Sequence, residues 1–238
     1  MPARRLLLFT KPARPGRVKT RLIGDLSPEE AADLHAAFLA DLLERLSAGD
    51  FDLHLAWDLD PGDSIPDAAV PGLRQEGHDL GTRLHRALSE AAREAPLVAA
   101  LGSDHPTLPL PLVHRAFERL EAGAEIVLGP AEDGGYYLIA LRAAALDPRL
   151  FTEVPWSTAG VLAATLERCR ELCLVVELLP RAADVDTPAD LRRLAAEMAA
   201  GDLGCPRTRG LLAAWDRLGQ GAQPARRFPS PMWERGQG

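Results

Sequence analysis

The chain has 238 residues, 47% of them apolar and 26% charged, with a formal net charge of −7 and three cysteines. At a prior of about 150 residues per domain it can bury a full hydrophobic core without disulfides or a structural metal. An odd cysteine count argues for a reducing compartment rather than a disulfide framework. The apolar runs fall far short of the roughly 20 residues a bilayer span requires. Lys11-Pro12 interrupts the N-terminal run too early for a signal peptide, so a soluble, cytoplasmic protein with no membrane partner is expected. The acidic balance disfavours a nucleic-acid partner. Cys169 and Cys173 lack a second pair or a histidine cluster to complete a zinc site and read as buried, inert thiols.

In chain order, Arg5 to Phe9 reads as a short buried strand. Ser27, Pro28 and Glu30 spell an N-cap, a first-turn proline and a capping box. The helix they open is lined by Leu34, Phe38 and Leu42, with Leu39, Leu43 and Leu46 beside them. Leu53, Leu55 and Trp57 alternate as a second strand, followed by a Pro/Gly/Asp-rich loop from Asp58 to Pro71. Leu80, Leu84, Leu88 and Ala91 predict a helix, Pro96 to Leu101 a strand, and Val113, Phe117 and Leu120 another helix. Glu125 to Leu128 and Tyr136 to Leu141 read as strands, a helix starts near Ser157 or Thr158, and Cys173 to Leu179 is strand-like. Pro188 to Ala200 is helical through Leu191, Leu194 and Met198. This alternation predicts an α/β fold: one Rossmann-like domain over residues 1–218, with a mostly parallel sheet covered on both faces. Residues 219–238 read as a disordered Pro/Gly-rich tail.

The cations are unevenly chosen. Only Lys11 and Lys19 interrupt an otherwise all-arginine set, and both lie in the segment Lys11 to Arg21, which with Arg14, Arg17 and Arg21 holds five positive charges and no negative one. Lysine is a compact point charge suited to phosphate oxygens, so the segment reads as a phosphate-binding loop. Like charges repel, which predicts a loop that is mobile until an anion arrives. In a parallel α/β sheet ligands bind beyond the carboxyl ends of the strands. There the sequence places this loop, Gly102-Ser103-Asp104-His105-Pro106, Gly129 to Gly135, and Ala183 to Pro188. Carboxylates facing a basic loop suit a magnesium–phosphate site. Local readings compete: Asp186 or Thr187 also fits as a cap of the helix after Pro188, and Asp104 as a turn former. Gly16 to Thr20 lacks the glycine a Walker A loop needs before its lysine. Asp184-Val185-Asp186-Thr187 has the wrong spacing and strand position for a haloacid-dehalogenase motif. His35, His54, His78, His85 and His114 are read as structural or exposed.

Taken together, Phe9-Thr10-Lys11-Pro12, Lys19-Thr20-Arg21-Leu22, Leu101 to Pro106, Gly129 to Leu138, Val154 to Thr158 and Asp184 to Leu191 resemble the radical-SAM/selenodomain-associated transferase family. That family is glycosyltransferase-like and sits in the nucleotide-diphospho-sugar transferase (GT-A) superfamily. It is similar in turn to 2-phospho-lactate guanylyltransferases and to acidic-sugar cytidylyltransferases. The match covers Arg5 to Leu218. It implies that Lys11, Arg17, Lys19, Thr20 and Arg21 hold nucleotide phosphates, and that Gln75, Leu80 and Gly81 approach the base. Asp104 and Asp186 would be ligands to Mg²⁺ or Mn²⁺. Asp133, Gly134, Gly135, Tyr136, Trp156 and Ser157 would face the acceptor or sugar.

The expected reaction is nucleotidyl transfer from a nucleoside triphosphate to a small anionic acceptor with release of pyrophosphate, Lys19 and Arg21 stabilising the leaving group. Pro106 stands where an Asp-x-Asp glycosyltransferase motif would carry its second aspartate. A glycosyltransferase using a nucleotide-sugar, with Asp133 as catalytic base, is the alternative. A nucleotide-binding module without catalysis is a further one. The phosphate loop also lacks the glycine-rich run of the main sugar nucleotidyltransferases, which speaks against a sugar-1-phosphate acceptor.

Overall fold

The computed structural model describes residues 3–218. The expected tail at 219–238, with Phe228 and Trp233, lies outside them. Seven strands form one sheet in the order β3-β2-β1-β4-β6-β5-β7. They are β1 (Arg4–Thr10), β2 (Asp52–Trp57), β3 (Gly72–Arg74), β4 (Leu97–Gly102), β5 (Ile126–Pro130), β6 (Tyr136–Arg142) and β7 (Val176–Leu178). Six α-helices accompany them: α1 (Pro28–Leu46), α2 (Leu80–Ala92), α3 (Leu110–Glu121), α4 (Val161–Glu171), α5 (Pro188–Ala200) and α6 (Pro206–Ala214). No helix among the described residues is long and apolar enough to cross a membrane.

Both faces of the sheet are buried, which is why the strands read as continuous apolar runs. Leu6, Leu8, Ala99 and Leu101 pack with Leu42 and Leu46 of α1 and with Val113, Phe117 and Leu120 of α3. The alternate residues Leu7, Val98 and Ala100 pack with Leu84 and Leu88 of α2 and with Cys169 of α4. A third cluster joins Leu34 and Phe38 of α1 to Leu22, Val185, Leu191, Leu194 and Leu212, seating α5 and α6 beside α1. The capping box predicted at α1 is formed, and of the two cap candidates before α5 it is Thr187 that serves. Ser27 and Glu30 bond reciprocally at α1, and Thr187 and Asp190 do the same at α5.

Within the expected mostly parallel sheet β6 runs antiparallel to both neighbours, because the five-residue link from Pro130 to Tyr136 is too short for the crossover a parallel pair requires. Five features differ from the sequence expectation. β3 at the sheet edge and α6 were not predicted. α4 begins at Val161 rather than near Ser157, since Ser157 takes a left-handed backbone (φ 63) and the Thr158 hydroxyl donates to Pro155 O at 2.7 Å, closing a turn first. The strand expected over 173–179 shortens to β7, preceded by Cys173 in a left-handed turn (φ 56). Cys173 is therefore exposed, whereas Cys169 and Cys205 are buried.

α6 has no side-chain cap of its own. Its first N–H groups are met instead by Asp41 of α1, which accepts from Arg207 N at 3.0 Å, Thr208 N at 2.9 Å and Thr208 Oγ1 at 2.7 Å. One turn on, Arg45 donates to Pro106 O, Leu108 O, Leu203 O and Gly204 O. It thereby ties α6 to the loop that carries Asp104.

Candidate functional site

All strands except β6 run parallel, so their carboxyl ends form one rim. Thr10 leads into Lys11, Trp57 into Asp58, Arg74 into Gln75, Gly102 into Asp104, Pro130 into Asp133, and the chain after β7 into Asp184 and Asp186. The basic segment runs along this rim from Lys11, beside Asp58, to Lys19 and Arg21, which reach Asp104 and Asp186.

At the centre stands Lys19. Its side chain is 2% exposed, and Nζ donates to Asp104 Oδ1, to Asp186 Oδ1 at 3.0 Å and to Val185 O at 2.9 Å. It also lies 5.4 Å from the ring centre of Phe38. Burial works against this charge, but the two carboxylates outweigh it and hold the ammonium above the ordinary lysine range. Desolvation likewise pushes Asp104 up, Lys19 pulls it down further, and the net position is below the usual carboxylate range. Lys19 has a left-handed backbone (φ 47), a strained conformation for a residue with a side chain, which persists where surrounding contacts impose it. An ammonium has three donors, and all three are used. Lys19 thus has no N–H left over in this structure. Arg21, two residues on and exposed, lies 3.5 Å from Asp186 Oδ2.

The competing local readings of both aspartates now separate. The helix cap is supplied by Thr187 with Asp190, which leaves the Asp186 carboxylate to Lys19 and Arg21. Asp104 lies in a turn and its carbonyl ties that turn to the segment of Val185, accepting from Val185 N at 3.1 Å, while its half-exposed carboxylate points to Lys19. Asp104 Oδ2 takes no hydrogen bond from the described residues. Asp184 stands above the ordinary carboxylate range, through desolvation first and then through Asp186 and Asp133. Among the described residues no three side chains converge as a metal cluster. Two carboxylates do converge, and Mg²⁺ characteristically takes one or two together with phosphate oxygens. The donor set suits a metal that shares its coordination with a bound phosphate.

The remaining basic residues are not free. Arg14 pairs with Asp60 at 3.2 Å and Asp63 at 2.9 Å, Arg17 with Asp60 at 2.6 Å, and Lys11 with Asp58 at 3.8 Å. The Asp-rich loop after β2 therefore neutralises the segment, and the repulsion that predicted a mobile loop is offset. Thr20 is exposed and opens a short 3-10 turn ending at Leu22.

Gln75 bridges two strand ends, its amide donating to Thr10 O at 3.2 Å and Ala56 O at 2.8 Å. Gly81 is required for packing. A Cβ there would lie 2.5 Å from Trp156 Nε1 and 2.6 Å from Phe151 O, so Trp156 fastens the segment of Ser157 to the first turn of α2, where Leu80 is exposed. Gly134 (φ 91) turns the β5–β6 hairpin, with Asp133 Oδ1 accepting from Gly135 N at 2.8 Å.

The Tyr136 side chain packs inward. Strand alternation sends its ring onto the α2/α4 face, edge-on to Trp156 with centres 6.4 Å apart. Its hydroxyl is buried beside Thr165, and burial drives its acidity well out of range. Tyr137, on the opposite face, donates to Pro180 O at 3.1 Å and is pushed up to about 12 by burial.

Two rim residues had no separate signal in the sequence. Arg83 of α2 pairs with Asp58 at 2.8 Å and donates to Gly77 O at 3.1 Å; its helical spacing alone gives it no meaning. His35 of α1 approaches Lys11 O at 3.1 Å and Thr10 Oγ1 at 3.3 Å. The carbonyl can only accept, so Nε2 carries the proton. His105 lies 3.0 Å from Ala183 O through Nδ1.

Burial holds both rings below the ordinary histidine range, against the pull of those carbonyls. A depressed folded-state value means that the unfolded chain gains protons first as pH falls below about 6.5. Stability is thus full above that pH and is lost below it. The thermal midpoint is expected to fall between about pH 7 and pH 5, less so in His35→Gln/His105→Asn, whose amides keep the donors. A wild-type midpoint that is level across this window would contradict it.

The class that fold and rim define is that of the transferases built on the nucleotide-diphospho-sugar transferase fold. Across 92% of its length the chain is 34% identical to a solved Desulfovibrio desulfuricans G20 protein provisionally named a nucleotide-diphospho-sugar transferase, covering 97% of that chain with a TM-score of 0.85. The chain belongs to the family of that protein. Residues 42–158 also match the family model described as "Uncharacterized protein conserved in bacteria (DUF2064)". The fold is further shared with a cytidylyltransferase from Leptospira borgpetersenii (12% identity, TM-score 0.55, 93% of this chain and 99% of that one). It is shared as well with a CMP:2-keto-3-deoxy-manno-octonic acid synthetase complexed with CTP (17% identity, TM-score 0.51, 83% and 98%). No curated protein matches the chain.

Proposed function

We propose that the protein transfers a nucleotidyl group from a nucleoside triphosphate to a small anionic acceptor. The observation that carries this reading is the charged rim: Lys11, Arg14 and Arg17 beside the Asp-rich loop after β2, and Asp104 and Asp186 converging within reach of one cation, with Arg21 3.5 Å from Asp186. A triphosphate laid across the rim would take its β and γ oxygens to Arg14, Arg17 and Arg21, displacing Asp60 and Asp63. Its α-phosphate would then lie near Asp104. An acceptor oxygen attacks the α-phosphorus, the bond to the β-phosphate oxygen breaks, and pyrophosphate leaves onto the arginines. Chemistry of this kind asks the protein for positioning and charge stabilisation. A divalent metal held by Asp104 and Asp186 would offset charge developing on the phosphate oxygens. The similarity to a CTP-bound synthetase supports a nucleotide donor, as do the kinships the sequence suggested with guanylyltransferases and cytidylyltransferases. The name of the Desulfovibrio relative favours a second reading, sugar transfer from a nucleotide-sugar at the same rim.

The test is thermal stability against nucleoside triphosphates and nucleotide-sugars, with and without Mg²⁺, followed by pyrophosphate release with phosphorylated and carboxylated acceptors. A ligand at 100 times its dissociation constant adds about 2.7 kcal/mol, which for this size raises the midpoint by roughly 5–11 °C. A Mg²⁺-dependent shift with one triphosphate is expected. A shift with nucleotide-sugars alone would replace nucleotidyl by glycosyl transfer.

A further inference from the structure

We propose that Lys19 is a resident cation. Its ammonium occupies the point between Asp104 and Asp186 that a free divalent ion would otherwise take, so the carboxylate pair accepts metal only together with nucleotide phosphates. This rests on the proposed nucleotide-dependent reading for what the metal later does, but not for the lysine itself.

Three observations carry it. First, the donors of Nζ are matched one to one with Asp104 Oδ1, Asp186 Oδ1 and Val185 O, with the Phe38 ring centre 5.4 Å away. An ammonium so placed already supplies the positive charge that keeps two carboxylates together against their repulsion. Second, the backbone of Lys19 is held in the left-handed region, which fixes the direction from which the side chain enters. Third, the residue is a lysine in a chain whose other cations, Lys11 apart, are all arginine. A compact point charge fits between two carboxylates where a planar five-donor fork does not. What remains open is Asp104 Oδ2, the oxygen of this half-exposed carboxylate that takes no hydrogen bond from the described residues. One such oxygen holds a free ion weakly, but a metal already on phosphates needs only one or two protein oxygens. Lys19 is accordingly a positioning residue, acting on the reaction through the two aspartates.

The test uses Mn²⁺ alone, without nucleotide, on the wild type, Lys19→Met and Lys19→Met/Asp104→Asn. Uptake is read from the free-ion signal in electron paramagnetic resonance, and the midpoint from thermal unfolding. The wild type should leave the signal unchanged and its midpoint unmoved. Lys19→Met should be less stable in chelator, bind Mn²⁺, and gain roughly 5–11 °C at saturation; the double variant should lose both responses. Uptake of Mn²⁺ by the wild type that vanishes in Asp104→Asn overturns the proposal, as does a folded Lys19→Met that takes up none. Should Lys19→Met fail to fold even with Mn²⁺, the wild-type titration decides. A parallel titration with triphosphate present separates the two readings. Metal uptake by the wild type only with triphosphate supports both. A wild type blind to every triphosphate, beside a Lys19→Met that binds Mn²⁺, would sink the nucleotidyl reading and leave the resident cation standing.

Discussion

Asp104→Asn should lower turnover by about 100-fold or more, the scale on which a single preorganised electrostatic contact to a transition state is felt. The substitution is nearly isosteric. Its amide oxygen can still accept from Lys19 Nζ, and its backbone carbonyl still accepts from Val185 N, so the turn and the fold are retained. What is lost is one of the two negative charges that face Lys19, together with the Oδ2 that takes no hydrogen bond from the described residues. Circular dichroism should be unchanged while pyrophosphate release collapses. Activity within threefold of the wild type would remove Asp104 from the mechanism.

The largest effect on stability is expected far from the chemistry. Asp41→Ala should cost about 3–5 kcal/mol, the range for breaking a buried charged contact. Asp41 is fully buried and bonds two backbone N–H groups and the Thr208 hydroxyl at the start of α6. The opening N–H groups of a helix have no intrahelical acceptor, and α6 has no capping side chain of its own. Without Asp41 those donors remain buried and unmet. The thermal midpoint should fall by roughly 6–20 °C, at about 2–4 °C per kcal/mol for a chain of this length. Glu44→Gln is the control: its pair with Arg207 is 64% exposed on the glutamate side, and exposed pairs are worth under about 1 kcal/mol. A loss for Asp41→Ala no larger than for Glu44→Gln would show that α6 holds by its apolar face alone. Because Arg45 joins the same segment to Pro106 O and Leu108 O, loosening α6 also loosens the loop that aims Asp104.

Most of the helices and strands were legible because their signals are local. Ser27 with Glu30 and Thr187 with Asp190 are capping partners three residues apart, and a reader needs nothing beyond that window to place α1 and α5. Alternation in Leu53, Leu55 and Trp57 needs only the period of a strand. The rim was legible for a related reason. In a sheet of parallel strands each carboxyl end is marked by the residues that follow it, so the segments ending in Asp104 and Asp186 could be assigned to one edge without knowing the strand order.

Other pairings have no local pattern and arise only when the chain folds. Lys19 meets Asp104 and Asp186 across 85 and 167 residues. Arg14 and Arg17 meet Asp60 across 46 and 43, which turned an apparently naked basic segment into a neutralised one. The cap of α6 comes from α1 across 167 residues. Composition gives the number of charges, but their partners depend on how the chain closes on itself. Strand and helix periodicity pointed to an α/β sheet with charged residues on its rim, and the family resemblance to a nucleotide-transferase type of that sheet. The closed fold decided that the charge at its centre is a lysine with every donor already spent, because only there do three acceptors from distant segments reach one buried ammonium.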